Sequence, residues 1–335
     1  MNVIKPKALR RGDAIGVVAP AGPVNRERME RAIGRIRERG FRIKTYGDIY
    51  RSRGYLAGDD ATRAGELMAA FADPETAAVW CARGGYGVAR VIDRLDFDVI
   101  RSHPKVFVGF SDITVLHVAI GQRAGVVTFH GPNLQDGFGK PEEMPAANEA
   151  ALWRATMGET KNIEGSGSSA ARINDSIQGA DYSFELGGME DVKLRGICGG
   201  VASGRLIGGN LAVMCGLMGT PFEIETAGRI LFLEDVSERL YRIDRYLSQL
   251  RLSGKLESAA GVLIGTFSYD PEDAAESESE ISALLEEYLK PLRVPVLAGF
   301  PAGHTQRNLT LPMGAHVQLD ADSKIVTVCE SPVEE

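Results

Sequence analysis

Short, unbroken apolar runs alternate with charged helical patterns through the first part of the chain, and few architectures accommodate that alternation. The runs AIGVVAP (14–20), FRIKTY (41–46), AAVWCA (77–82), VFVGF (106–110) and VVTFH (126–130) have strand length. Between them lie the helical patterns Asn25–Arg39, Asp60–Phe71, Val88–Leu95 and Ile113–Arg123. Continuous apolar strands separated by roughly 10–15-residue helices imply a mostly parallel sheet covered on both faces. Ligands then belong at the carboxyl ends of the strands.

The chain has 335 residues, about two domains' worth. The fold class is therefore α/β: a Rossmann- or flavodoxin-like parallel-sheet N-terminal domain plus a smaller mixed α/β C-terminal domain. From Gln135 to Leu194 the pattern weakens into GFGKPEEMP and the Gly/Ser/Ala-rich GSGSSAARINDS, which read as loop or linker. The expected division is an N-terminal domain over 1–140, a linker over 141–194 and a C-terminal domain over 195–335. The latter holds SGRLIGGN, an apolar segment Leu211–Met218, the strands ILFL (230–233) and GVLIG (261–265), and helices at Glu238–Leu252 and Ala275–Leu289. VPVLAGF (294–300) and a closing pair, AHVQLD and KIVTVCE, follow. In the first helix Leu240, Ile243, Leu247 and Leu250 repeat at helical spacing and face inward, leaving Arg239, Arg242 and Arg245 outward.

Charge excludes some partners. The 38 basic and 45 acidic residues leave a net −7, which opposes nonspecific binding to nucleic acid. The apolar run Ala14–Pro20 is too short for a signal-peptide core or a membrane span, so a cytoplasmic protein without membrane attachment is expected. Cys81, Cys198, Cys215 and Cys329 form no CxxC, indicating neither zinc knuckle nor redox pair, and most read as buried fillers. The histidines show no paired ligand spacing, so no metal and no cofactor are expected.

The residues with chemistry are few. Ser111 follows VFVGF directly and precedes the helical ITVLHVAI, a strand-to-helix junction that exposes a hydroxyl beside backbone N–H groups. A serine there is also an ordinary helix cap. To act as a nucleophile it needs a base and a group that orients the base. His304, in the glycine-bounded loop GFPAGHTQRN, is presented rather than packed, whereas His103, His117 and His316 read as structural. His130, ending VVTFH, is the rival base. Glu234 closes ILFL at a strand end and is the candidate orienting acid, with Asp235 the alternative; a helix-start carboxylate is the bland reading of Glu234. In CARGGYGVARVIDRL, Gly84, Gly85 and Gly87 let backbone approach a ligand. That segment lacks both GxGxxG spacing and a GK[ST] ending, which weakens a nucleotide-binding module. The N–H groups of Gly85 and Asp112 would instead form an oxyanion hole. Arg83 and Gly84 are the candidate substrate-binding residues, Arg83 for a substrate carboxylate. An α/β-hydrolase is disfavoured because GFSDI lacks the second glycine of GxSxG.

Taken together, ARGGYG, VGFSDIT, FHGPN, LEDVSERLYRIDRYLSQL and GHTQRNLTLPMG resemble the LD-carboxypeptidase family of serine peptidases. The likeness runs from GDAIGVVAPAGP to LPMGAHVQLD, with the five strings in the family's order. It implies Ser111 as nucleophile, Glu234 as acid and His304 as base. It also implies removal of the terminal D-alanine from murein tetrapeptides in cytoplasmic cell-wall recycling, by a two-domain homodimer acting on a small peptide. A sister branch hydrolyses microcin C-type peptidyl-nucleotides, and that activity is the alternative. The YRIDR helix start and the GHxxxNxxLPxG form look more like the murein branch. Two departures bear on which peptide fits: the long irregular stretch Gly165–Val192, and Leu240, where relatives commonly have a proline or small residue.

Overall fold

The computed structural model describes residues 3–158, 172–175, 182–185, 192–268 and 278–335. The chain divides into two units. The first is Met1–Glu159 joined by Thr310–Gly314 and Pro332–Glu335, and the second is Thr160–Leu309 with Ala315–Ser331. The two units are nearly equal in length.

The first unit follows the alternation seen in the sequence: β1 (Ala14–Val18), α1 (Arg26–Glu38), β2 (Arg42–Thr45), α2 (Asp60–Ala72), β3 (Thr76–Cys81), α3 (Phe97–Ser102), β4 (Val106–Gly109), α4 (Thr114–Ala119) and β5 (Thr128–His130). Two further helices, α5 (Leu134–Gly137) and α6 (Ala146–Met157), complete its N-terminal portion. Helix α1 starts where the Asn25 side chain accepts the Arg28 N–H, and it buries Met29, Ala32, Ile33 and Ile36, one face of a helix. Asp59 caps α2 in the same way.

β1 to β5 are parallel and lie in the order β2-β1-β3-β4-β5, the flavodoxin-like order. The strand Leu311–Met313 adds an antiparallel edge, with Leu311 opposite His130. Strand order reverses between β1 and β3, so the loops after those strands flank a topological switch point, where ligands collect in such sheets. The Gly22 N–H donates to the Gly84 carbonyl at 3.0 Å, tying those loops together.

Two parts of this unit differ from the sequence expectation. The interval 141–194, read as linker, contains α6, whose Leu152 and Trp153 belong to the first core. Arg39 anchors that helix through a two-pronged ion pair with Glu149, at 2.8 Å on the Nη2 side. Local composition hid this helix because its core partners are distant in sequence: Phe41 is stacked on Trp153 at 5.2 Å and Trp80 meets it edge-on at 6.1 Å. The pattern Val88–Leu95 forms two short 3₁₀ turns, Val88–Arg90 and Ile92–Arg94, rather than one α-helix. Most of the irregular stretch Gly165–Val192 lies outside the described residues.

The second unit carries β6 (Arg172–Asp175), β7 (Tyr182–Glu185), β8 (Arg195–Cys198), β9 (Val201–Asn210), α7 (Leu211–Cys215), β10 (Ile230–Val236), α8 (Leu240–Leu252), β11 (Gly261–Ser268), α9 (Glu278–Leu289) and β12 (Val296–Ala298). The edge strand at Leu311–Met313 is β13, and β14 (His316–Asp320) and β15 (Ile325–Val328) close the chain as an antiparallel pair. Among the described residues the second sheet has the order β6-β7-β15-β14-β9-β10-β11-β12-β8, parallel only from β9 to β12. Helix α8 buries Ile243, Leu247 and Leu250. Arg239, Arg242 and Arg245 are exposed.

Trp80 fixes the first core. It is fully buried, donates its indole N–H to the Pro132 carbonyl at 2.8 Å, and meets Phe138 and Trp153 edge-on at 5.9 and 6.1 Å. Replacing a buried tryptophan by alanine removes both its area and that hydrogen bond, so Trp80→Ala is expected to cost about 3–5 kcal/mol. Urea unfolding of wild type and variant checks this, and a loss below about 1 kcal/mol would contradict it.

Candidate active site

Ser111 occupies a conformation that serine avoids. Its φ is +68°, immediately after Phe110 in an extended conformation at φ −153°. A left-handed residue of this kind costs on the order of 1–3 kcal/mol and persists only where its surroundings over-determine it. Those surroundings are visible. The Phe110 N–H donates to Asn133 Oδ1 at 3.2 Å, and the Ile113 N–H closes the 3₁₀ turn Ser111–Ile113 onto the Phe110 carbonyl at 3.4 Å. The Val88 N–H donates to Asp112 Oδ2 at 2.9 Å.

The glycine turn after β3 packs on this elbow. A Cβ on Gly84 would stand 2.8 Å from Ser111 Cβ and 3.2 Å from its Oγ, so no larger residue fits. Gly85 is exposed and Ser111 half-buried. The N–H of Asp112 precedes the first hydrogen bond of the 3₁₀ turn and is not consumed by it. Arg83 is half-buried, and its Nη1 donates to the Pro23 carbonyl at 2.7 Å, engaging one prong of its fork with the loop after β1.

The histidines of this unit have other surroundings. His117 Nε2 faces the Gly109 carbonyl at 2.8 Å, which only accepts, so Nε2 carries the proton and Nδ1 accepts from the Thr128 hydroxyl at 2.8 Å. Burial lowers its pKa to about 4, against a weaker opposing effect of the Gly109 carbonyl, keeping it neutral. His130 is wholly buried, its ring centroid 6.0 Å from that of Phe110, a poor place for a base that must meet substrate. His103 is exposed at the end of α3, and His316 is exposed on β14.

In the second unit, β10 carries Glu234 and Asp235 side by side. Glu234 is fully buried, and its Oε2 lies 2.8 Å from His304 Nδ1. Since a carboxylate only accepts, Nδ1 holds the proton and the lone pair is left on Nε2, the tautomer a general base requires. The loop that presents His304 is shaped around this contact. Gly303 has φ +116°, and a Cβ there would strike Glu234 Oε2 at 2.6 Å. The Gly303 N–H donates to buried Asn308 Oδ1 at 3.0 Å, and the Leu309 N–H donates to the Pro301 carbonyl at 2.9 Å, closing the loop.

Asp235, the alternative acid, is engaged elsewhere. It accepts from Asn210 Nδ2 at 2.9 Å, from the Ala212 N–H at 2.8 Å and from the Val236 N–H at 2.8 Å, which anchors the start of α7. The residue reading passed over Asn133, Asn210 and Asn308. Two of them lie inside the quoted strings FHGPN and GHTQRN, yet an amide that props a loop has no signature of its own.

Burial lifts the Asp235 carboxyl from 3.8 to about 7, with the backbone N–H groups of Val236 and Ala212 pulling the other way and the Glu234 charge adding to the rise. A carboxyl with a raised folded pKa binds more protons folded than unfolded in this interval, so its contribution to stability is lost as pH climbs from about 4 to about 7. The wild type is therefore expected to lose melting temperature relative to Asp235→Asn across that interval and to hold a constant difference above it. Calorimetry at pH 4.5, 6 and 8 reads this, and a difference independent of pH would contradict it.

Comparison with known proteins agrees with this organisation. The LD-carboxypeptidase N-terminal domain matches residues 15–131, and the LD-carboxypeptidase C-terminal domain matches residues 203–319. A probable murein peptide carboxypeptidase of Bacillus subtilis (strain 168) is 38% identical over 324 residues, covering 97% of this chain and 94% of its own length. The microcin C7 self-immunity protein MccF of Escherichia coli is 27% identical over 328 residues, covering 95% and 94%. Among solved structures, muramoyltetrapeptide carboxypeptidase from Oxalobacter formigenes superposes with a TM-score of 0.74 at 28% identity, covering 94% of this chain and 97% of that one. MccF in complex with aspartyl sulfamoyl adenosine shares the fold, with a TM-score of 0.85 at 24% identity and coverage of 99% and 100%. Both domains of the family are present in order along one chain, and the protein belongs to the LD-carboxypeptidase family of serine-type carboxypeptidases.

Proposed function

We propose that this carboxypeptidase hydrolyses the L,D peptide bond to the terminal D-alanine of murein tetrapeptides, with Ser111 as nucleophile, His304 as base and Glu234 as its orienting acid. The observation that carries the reading is the Glu234 Oε2 to His304 Nδ1 contact at 2.8 Å, which sets the imidazole tautomer. The strained backbone of Ser111, at φ +68°, supports it independently. Murein carboxypeptidases among the relatives supply the substrate class.

In this mechanism His304 Nε2 takes the Ser111 hydroxyl proton as Oγ attacks the carbonyl carbon before D-alanine. The negative charge forming on the carbonyl oxygen is met by the N–H groups of Gly85 and Asp112. Imidazolium then gives its proton to the departing amine, releasing D-alanine and leaving an acyl-enzyme. Water, deprotonated by the same imidazole, releases the shortened peptide and restores the hydroxyl. Arg83 and Gly84 contact the substrate, and Arg83 meets the free carboxylate with the part of its fork not engaged by Pro23. The setting we infer is the cytoplasm, with the enzyme as a homodimer. No helix among the described residues is long and apolar enough to cross a membrane.

Mass spectrometry of a murein tetrapeptide incubated with the purified protein tests the reading. Loss of one alanine is expected, and intact tetrapeptide beside cleaved aminoacyl sulfamoyl adenosine would instead favour the microcin-type activity. Ser111→Ala and His304→Ala are expected to lower kcat by about 10⁶-fold. Glu234→Gln, which disturbs the tautomer, is expected to lower it by about 10⁴-fold with the fold intact. Wild-type turnover by folded Ser111→Ala would refute the assignment.

A further inference from the structure

The mechanism leaves one buried charged network of the first unit unused. Arg63 on α2 has a side chain with no exposed surface. Its Nη1 donates to the Pro20 carbonyl and, at 2.8 Å, to the Gly87 carbonyl, while Nη2 donates to Asp60 Oδ1 at 2.7 Å. One guanidinium thus joins the loop after β1 to the end of the glycine turn after β3. Across that turn, the Val88 N–H donates to Asp112 Oδ2 at 2.9 Å. The Gly87 carbonyl and the Val88 N–H belong to the same peptide group. That plane is held from its carbonyl side by Arg63 and from its N–H side by the residue next to the nucleophile.

We propose that Arg63 and Asp112 act, through their side chains, as positioning residues for acyl transfer: they lock the Gly87–Val88 peptide and thereby set the Gly84–Gly87 turn against Ser111. The proposal rests on the reading of Ser111 as nucleophile. A turn with three glycines in four positions has large conformational freedom, and an N–H aimed at a developing oxyanion contributes fully only when it is already in place. Gly84, on which a Cβ would stand 2.8 Å from Ser111 Cβ, permits the close packing on Ser111 but does not enforce it. Enforcement comes from the two anchoring side chains on the following peptide, and neither side chain has a part in the acyl-transfer steps. The cost is visible as well. Burial pushes the Asp112 carboxyl up to about 6 against the pull of the Val88 N–H and the Arg63 charge. A buried cation and a buried acid are retained although an apolar pair of the same volume would pack the site without that penalty.

The test compares kcat, KM and two affinities for folded variants. One affinity is for the tripeptide product. The other is for a boronic acid analogue of it, whose tetrahedral adduct on Ser111 puts an oxygen where the oxyanion forms. Arg63→Met, which removes the single nitrogen that donates to both carbonyls, and Asp112→Ala are expected to lower kcat and boronate affinity together by about 10²-fold, with KM and product affinity changing less than about threefold. Asp112→Asn keeps an acceptor for the Val88 N–H and is expected to recover at least about tenfold of what Asp112→Ala loses. Where a single variant fails to fold, the double variant Arg63→Met/Asp112→Leu leaves no unpaired buried charge between them and carries the same expectation. Unchanged kcat in the variants overturns the proposal, as does an equal loss of product and boronate affinity, which marks general distortion. Wild-type enzyme lacking Ser111-dependent turnover overturns the reading of Ser111 and this proposal with it, so the two failures are told apart.

Discussion

The left-handed backbone at Ser111 is the constraint around which the first unit is arranged. A serine at φ +68° returns to a relaxed conformation unless several neighbours forbid it. Three regions do so. Asn133, just after β5, holds Phe110, the 3₁₀ turn holds Ile113, and Val88 holds the side chain of Asp112. Each donor or acceptor sits at the carboxyl end of a parallel strand or in the loop beyond it. The parallel sheet is therefore what sustains the strain: it brings the loops after β3, β4 and β5 to one end, where they brace a single residue. His117 supports the same place from beneath, its neutral imidazole bridging the Gly109 carbonyl and Thr128.

The second unit solves a different problem, that of holding an acid out of contact with bulk solvent. Glu234 is fully buried with one oxygen on His304. An isolated ion there would be costly, and a charge-assisted hydrogen bond to the imidazole offsets part of that cost. The loop of His304 is consequently built to close distances, with Gly303 omitting a side chain where Glu234 Oε2 lies and Asn308 replacing a solvent contact to the Gly303 N–H. The GHTQRN string is thus a packing specification as much as a chemical one.

How much of this was legible in the sequence divides along physical lines. The parallel sheet was legible because strands buried on both faces must be apolar throughout, and AIGVV, TAAVWC and VFVG are nearly so. Ser111, Glu234 and His304 stood out because strand ends and glycine-bounded loops are where chemistry is presented. Helix α6 was not legible: its role depends on Phe41, Trp80 and Arg39, more than 65 residues away in sequence. The return of Leu311–Met313 to pair with β5 is a long-range event of the same kind, and local pattern carries no record of it. The 3₁₀ turns at Val88–Arg94 misled for a subtler reason. Their apolar spacing fits a helix, but the peptide of Val88 is committed to Asp112 and Arg63, which sets the direction of the chain before a helix starts.

Two acids adjacent on β10 show how far identical chemistry diverges with direction. Side chains of consecutive strand residues point to opposite faces, so Glu234 and Asp235 meet separate partners. Glu234 finds an imidazole whose proton it orients. Asp235 finds three N–H donors, yet its burial still raises its pKa to about 7, because hydrogen bonds from neutral groups replace only part of the lost hydration. Composition alone reads LED as two equivalent carboxylates. What separates them is the pleat, which sends one to an imidazole and the other to the start of α7. Which of the two acids meets the imidazole is in this sense a property of the strand register, and a one-residue slip of β10 would exchange their surroundings.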